Sequence, residues 1–240
     1  GGDVPGGAYI LGVERPAASD LTEEQLNHLR ALYAGEVTLV DRWVGRLLQK
    51  IDDLGLLEDT AIIFTSDHGT YIGEHNYVGK RPRLYEEVAH IPLIIRLPDS
   101  AGAPKGRRDE IVQSPDLMPT ILELAEVNPP PTVQGRSILP IIRGETSGET
   151  DIAVSSASLV GQRLPDWITV TSKGWALLAS QVESGVKSEL YDLSRDPGET
   201  KNLIDERPDV ADDLRSRMIK LLRALGTSEE TLRKWMKSNS

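Results

Sequence analysis

The chain contains no cysteine among its 240 residues, which excludes a disulfide framework and any thiolate nucleophile or metal ligand. No apolar run approaches the ~20 residues that a membrane helix requires. Basic charge is in deficit, with 27 Lys and Arg against 37 Asp and Glu and a formal net charge of −10. A nucleic-acid-binding surface needs a basic excess, so no nucleic-acid partner is expected. An acidic chain that handles an anion must use a few placed cations or a metal. There is no glycine-rich phosphate loop and no Ser-His-Asp arrangement. The opening GGDVPGGAYI has neither initiator Met nor basic or apolar leader regions. It reads as an internal cut, which leaves the compartment open.

What is present describes a globular chain, 39% hydrophobic and 27% charged, long enough for one large domain or a domain with a small appendage. Residues 1–20 lack periodicity and read as a loop. From Leu21 to Gly55 apolar residues recur every three or four positions, at Leu26, Leu29, Tyr33, Val37, Val40, Val44, Leu47 or Leu48, Ile51 and Leu54. This predicts one long helix with a core-facing stripe. Thr22 with Gln25 fits a capping box and Gly55 an αL stop. TAIIFTS, apolar on both faces, predicts a central parallel strand, and HIPLIIRLP has the same character. Ser114-Pro115 predicts a helix start with Ser as N-cap, and a stripe of Leu117, Met118, Ile121, Leu122 and Leu124. After about Asp151 the texture changes. WITVTSKGWALLAS divides at Lys173-Gly174 into a hairpin, SELYDL is a further strand, and RPDVADDLRSRMIKLLRALG and TSEETLRKWM are helices. The expected organisation is an α/β core over 1–150 and a small antiparallel sheet with packed helices over 151–240.

The chemistry-bearing stretch is TAIIFTSDHGTYIGEHNYVGK, residues 60–80. Ligands of open α/β sheets collect where strands end, and Asp67 and His68 follow such a strand directly. Gly69 is expected to permit a sharp turn there. Carboxylate oxygen with imidazole nitrogen suits Mn²⁺ or Zn²⁺, or Ca²⁺ or Mg²⁺ if oxygen dominates the remaining shell. His75 and Lys80 follow. A Lys near a cation is sensible if both face an anion, with the imidazole bonding a substrate oxygen or protonating a leaving group. Read alone, Asp-His-Gly is equally a loop without an ion, Lys80 an exposed basic turn, and Glu74 beside His75 a solvated pair. His28 is read as structural, His90 as a hydrogen-bonded packing residue, and Trp43, Trp167, Trp175 and Trp235 as core.

The order FTSDHG, IGEH, VGK, LYEE, HIPLIIR, then SPDLMPTILELAEV, VQGRSILPIIRG and ELYDLSRDPGETKNL resembles the sulfatases of the alkaline-phosphatase superfamily, over about Leu21 to Leu225. The resemblance implies part of a helix-covered, mostly parallel sheet followed by a small antiparallel subdomain. It implies that Asp67 and His68 ligate a divalent metal, calcium in most of the family with Mg²⁺ or Mn²⁺ as alternatives. Lys80 would contact the sulfate and His75 line the pocket, so both are candidate catalytic and substrate-binding residues. The substrate class is a sulfate ester of a small molecule or sugar. The family's nucleophile is a formylglycine made from Cys or Ser in a C/S-x-P-x-R motif, and no Cys or Ser here stands in that pattern. The chain is therefore expected to be the C-terminal half of a sulfatase, inactive without the N-terminal half that completes the site. A phosphonate or phosphate diester hydrolase of the same superfamily and a non-catalytic binding remnant are the alternatives.

Overall fold

The computed structural model describes residues 16–145, 151–157 and 167–236. Much of the loop expected at the start therefore lies outside the described residues. The long helix forms as its signals dictate. Helix α1 runs Glu23–Asp53. Thr22 N–H donates to Gln25 Oε1 at 2.8 Å and Gln25 N–H to Thr22 Oγ1 at 3.2 Å, a reciprocal box that satisfies otherwise orphaned N–H groups. Gly55, at φ 67°, closes the C-terminus, its N–H donating to Asp52 O at 2.8 Å. The predicted apolar stripe is nonetheless not a core face in this chain, because no residue of α1 is buried.

Next come β1 (Ile62–Thr65), the short strands β2 (Tyr71–Ile72) and β3 (Val78–Gly79), helix α2 (Glu86–Ala89) and β4 (Leu93–Arg96). The parallel pairing expected for β1 is not what forms among the described residues. β1 pairs antiparallel with β4, Ile62 opposite Arg96 and Thr65 opposite Leu93. Phe64 and Ile94 stay exposed on this two-stranded ribbon. An apolar run reports burial on both faces in a completed sheet; it does not by itself set strand direction.

Helix α3 (Leu117–Leu124) follows a 3-10 turn at Ser114–Asp116. Its cap is not Ser114. Asp116 turns back instead, accepting from Gln113 N–H at 2.9 Å and from Arg136 N–H at 3.0 Å. Thr120 Oγ1 donates to Asp116 O at 2.6 Å and accepts from Ile138 N–H at 3.0 Å. These bonds lock the SPDLMPT and VQGRSILP segments together. A Cβ on Gly135 would lie 2.0 Å from Pro115 O, so the close approach demands glycine. Pro119 and Thr120 are buried, whereas Met118 and Ile121 of the expected stripe are exposed. Helix α4 (Leu139–Arg143) ends at Gly144 in the left-handed region.

The C-terminal region holds the main core. Strands β5 (Ile152–Ser155), β6 (Trp167–Ser172), β7 (Trp175–Ser180) and β8 (Glu189–Asp192) form one antiparallel sheet in sequence order. The hairpin turns at Gly174, φ 88°. β5 had no distinct sequence signal. Helix α5 (Pro208–Ala224) and helix α6 (Glu229–Arg233) pack on this sheet. Ile168, Val170, Leu177 and Leu190 meet Leu214, Met218, Leu232 and Trp235 in one buried cluster. Trp167 and Trp235 are buried as expected; Trp43 is not, at 58% exposed.

The chain divides into two compact units, one of residues up to 47 with 70–81, the other of 48–69 with 82 onward. Among the described residues no helix is long and apolar enough to cross a membrane.

Candidate metal and anion site

β1 delivers Ser66, Asp67 and His68 at its carboxyl end. Local hydrogen bonds then shape them. Asp67 Oδ1 accepts from His68 N–H at 2.9 Å, and Ser66 Oγ donates to His68 O at 3.0 Å. The His68 amide, and secondarily its ring charge, hold the Asp67 carboxyl below its ordinary range. His68 Nδ1 lies 2.7 Å from Gly69 O. A carbonyl can only accept, so Nδ1 carries a proton and donates it to Gly69 O.

Nε2 is shielded from solvent without a well-aligned hydrogen-bond partner, and Asp67 Oδ2 stands 3.3 Å from it. A carboxylate oxygen and an imidazole nitrogen thus face one another. Donors sharing one cation with bonds of about 2.0–2.6 Å sit roughly 3–3.5 Å apart, so the pair fits a divalent ion. An imidazole whose second nitrogen donates to a backbone carbonyl is also the usual setting of a metal-bound histidine. Asp67, with 82% of its side chain exposed, is open to ligands from elsewhere.

Gly69 is needed here for a reason other than the expected sharp turn. Its N–H donates to Val88 O at 3.0 Å, and a Cβ would lie 1.8 Å from Glu87 O. Only a glycine lets this loop lie against α2. In turn α2 is anchored by Glu199, whose Oε2 accepts from Glu86 N–H at 2.7 Å. His90 does not open a strand as a packing residue. It caps the C-terminal end of α2 in solvent, with Nδ1 2.9 Å from Glu86 Oε2. Burial pushes the Glu86 carboxyl up, and His90 partly offsets this.

His75 and Lys80 belong to the other compact unit. They flank the β2–β3 hairpin, in which Tyr71 pairs with Gly79 and Ile72 with Val78. Gly73 (φ 120°), His75 (51°), Asn76 (61°) and Gly79 (71°) all have positive φ. Two consecutive non-glycine residues in the left-handed region are costly and mark segments held for a purpose. The hold comes from Asn76 Oδ1, which accepts from Ser19 N–H at 2.6 Å. Glu74 contributes too: its Oε2 accepts from Ile72 N–H at 2.6 Å, so it is a hairpin brace rather than a solvated pair. The His75 ring meets buried Tyr71 edge-on, 6.2 Å between centroids. Lys80 leaves β3 exposed. The structure thus brings Asp67 and His68 together and sets His75 and Lys80 on one hairpin.

Sequence reasoning missed two inward-facing carboxylates, half-buried Glu189 and buried Glu199. Both flank motifs it had singled out, in ELYDLSRDPGET. No local pattern separates a Glu that folds inward from one that faces water.

A sulfatase family model matches residues 13–127, and one for the C-terminal part of N-sulphoglucosamine sulphohydrolase matches residues 73–225. An arylsulfatase of Clostridium perfringens is 33% identical over 208 residues, covering 84% of this chain and 42% of that protein. A solved phosphonate monoester hydrolase from Silicibacter pomeroyi superposes with a TM-score of 0.66 at 30% identity, covering 90% of this chain and 44% of that one. A protein solved in complex with its substrate D-glucosamine-2-N,6-O-disulfate superposes with a TM-score of 0.62 at 28% identity, covering 85% and 40%.

The chain has the helix-and-sheet α/β fold of solved sulfatases. The chain belongs to the sulfatase family. It spans about two-fifths of the length of the curated relatives it matches.

Proposed function

We propose that this chain is the C-terminal portion, over 1–150 and 151–240, of a sulfatase that hydrolyses sulfate esters with the help of a divalent metal, Ca²⁺ before Mg²⁺ or Mn²⁺. The observation that carries the reading is His68 Nε2 facing Asp67 Oδ2 at 3.3 Å, with His68 Nδ1 held 2.7 Å from Gly69 O. Asp67 and His68 would hold the cation, and it would supply positive charge to the sulfuryl oxygens as a Lewis acid. Lys80 neutralises a further oxygen of the same anion as charge builds in the transition state. His75, held in its strained turn against Tyr71, bonds a substrate oxygen or gives a proton to the leaving alcohol. The nucleophile in this reading is a formylglycine supplied by the remaining part of the protein, without which the chain is inactive. A sulfated sugar is the substrate class we favour, by analogy with the glucosamine disulfate bound by a relative.

A second reading, phosphonate or phosphate diester hydrolysis, is favoured by the 30% identity to a phosphonate monoester hydrolase. Sulfate and phosphonate esters share tetrahedral anionic geometry, so one assay compares them. In the longer protein of which this chain is the proposed part, aryl sulfate is expected to turn over faster than a phosphonate monoester. Lys80→Ala should lower that turnover by about 10²-fold, the scale of a lost oxyanion donor. Asp67→Ala should remove the bound metal on elemental analysis. Faster phosphonate turnover would install the second reading, and unchanged metal in Asp67→Ala would end the metal assignment.

A further inference from the structure

We infer that Glu199 is a positioning residue for the Asp67–His68 pair, acting through α2; the inference rests on the metal reading above. Glu199 is 2% exposed and adopts φ 49°, a region that a non-glycine residue occupies at a cost. The loop around Asp196 imposes that conformation. Asp196 O accepts from Glu199 N–H at 3.0 Å, and Asp196 Oδ2 from Thr200 N–H at 2.8 Å and Lys201 N–H at 2.7 Å. The strained backbone aims a carboxylate into the interior, where burying a charge is costly unless it is hydrogen-bonded.

The bond it makes has a direct route to the site. Glu199 Oε2 accepts the N–H of Glu86 at 2.7 Å, the first N–H of a helix too short to hold itself in place. The next residue supplies Glu87 O, which packs so closely on Gly69 that a Cβ there would lie 1.8 Å away. The next carbonyl, of Val88, accepts Gly69 N–H at 3.0 Å. Gly69 O accepts from His68 Nδ1 at 2.7 Å, which turns Nε2 toward Asp67 Oδ2 at 3.3 Å. Three hydrogen bonds and one close contact thus join a buried carboxylate, 113 residues from Glu86 in sequence, to the nitrogen offered to the cation. What the route asks of position 199 is a hydrogen-bond acceptor for Glu86 N–H, which holds α2 and through it the His68 ring. Outer partners that orient a metal-bound histidine typically change metal affinity by about 10–100-fold when removed.

The test is a calorimetric Mn²⁺ titration of the longer protein of which this chain is the proposed part, with thermal unfolding recorded in parallel. Glu199→Ala should weaken Mn²⁺ binding at least ~10-fold. Glu199→Gln, which keeps an acceptor for Glu86 N–H, should recover most of that loss, and Asp67→Ala should abolish binding. Recovery by Gln separates hydrogen-bonded positioning from bulk packing. Wild-type affinity in Glu199→Ala, with binding lost in Asp67→Ala, would overturn the positioning role and leave the metal reading standing. No recovery in Glu199→Gln would equally overturn the hydrogen-bond route. Binding unchanged in Asp67→Ala, or absent from the wild type, would overturn the metal reading and this inference with it. If Glu199→Ala does not fold, Glu199→Asp carries the test: its shorter reach should weaken Mn²⁺ binding, and wild-type affinity would reject the role.

Discussion

Glu189 shows how one half-buried carboxylate can hold distant segments together. Its Oε2 accepts the Tyr85 hydroxyl at 2.6 Å and the Tyr191 hydroxyl at 2.8 Å, while Arg83 Nε lies 3.5 Å from Oε1. The Arg83 guanidinium also rests 4.3 Å from the centre of the Trp167 ring. Burial, then the hydrogen bond to Glu189, then the Glu189 charge push both phenols well above their ordinary range. The sign follows from linkage. A phenol whose folded pKa exceeds its unfolded value of about 10 stabilises the fold fully below that pH. The contribution is lost as pH rises through the folded value. Tyr85→Phe removes a hydrogen bond to a charged group and should cost about 1.5–3 kcal/mol at pH 7. It should also flatten the loss of stability above about pH 10. Urea unfolding of both proteins between pH 8 and 11 (the range that brackets the unfolded phenol, ~10) checks this. Parallel stability curves would show that the Tyr85 hydroxyl is not held as a neutral donor in the fold.

Among the elements, α5 has the sharpest conflict between pattern and placement. Ala211, Leu214, Met218 and Ile219 form its buried face, and Arg215 lies on the same face at 7% exposure. The guanidinium donates to Trp235 O at 3.1 Å and Ser188 Oγ at 2.9 Å, tying α5 to β8 and to the end of α6. Burial lowers its pKa, with Asp212 acting in opposition. Arg215→Ala should therefore cost about 3 kcal/mol, from two charge-assisted bonds and a core cavity. A urea-unfolding loss below ~1 kcal/mol, the level of ordinary surface substitutions, would mean the site collapses and rehydrates. The capping box of α1, the Gly55 stop and the Gly174 hairpin were all legible because their signals lie within a turn or two of sequence. The place of Asp67 and His68 at the end of β1 was legible because a strand end is a local event. Arg215, Glu189 and Glu199 were not, since each gains its meaning from partners brought close only by folding. The antiparallel partner of β1 was hidden for the same reason.

For the molecule as a whole, stability must come from where apolar surface is removed from water. That is the β5–β8 sheet under α5 and α6, not the long helix. Along α1, Tyr33, Val37, Val40, Trp43 and Leu47 repeat at helical spacing, yet Leu47 is 60% exposed; Leu177, in β7, is 0% exposed. The sequence shows an apolar stripe in α1 as plainly as in α5, but periodicity records a face suited to burial without recording whether the covering element is present. This chain spans 42% of the arylsulfatase it matches, and no partner for the stripe occurs among the described residues. Replacing Val40 and Leu47 together by Lys should then shift unfolding free energy by no more than about 0.5 kcal/mol per site, as for exposed positions. It should also lower concentration-dependent association by interrupting an apolar patch. Leu177→Ala should cost about 2–5 kcal/mol. Urea unfolding with sedimentation at several protein concentrations measures both effects. A loss above ~2 kcal/mol in the Lys pair, the range of core truncations, would mean that α1 buries its stripe in solution. The core would then extend beyond the C-terminal sheet.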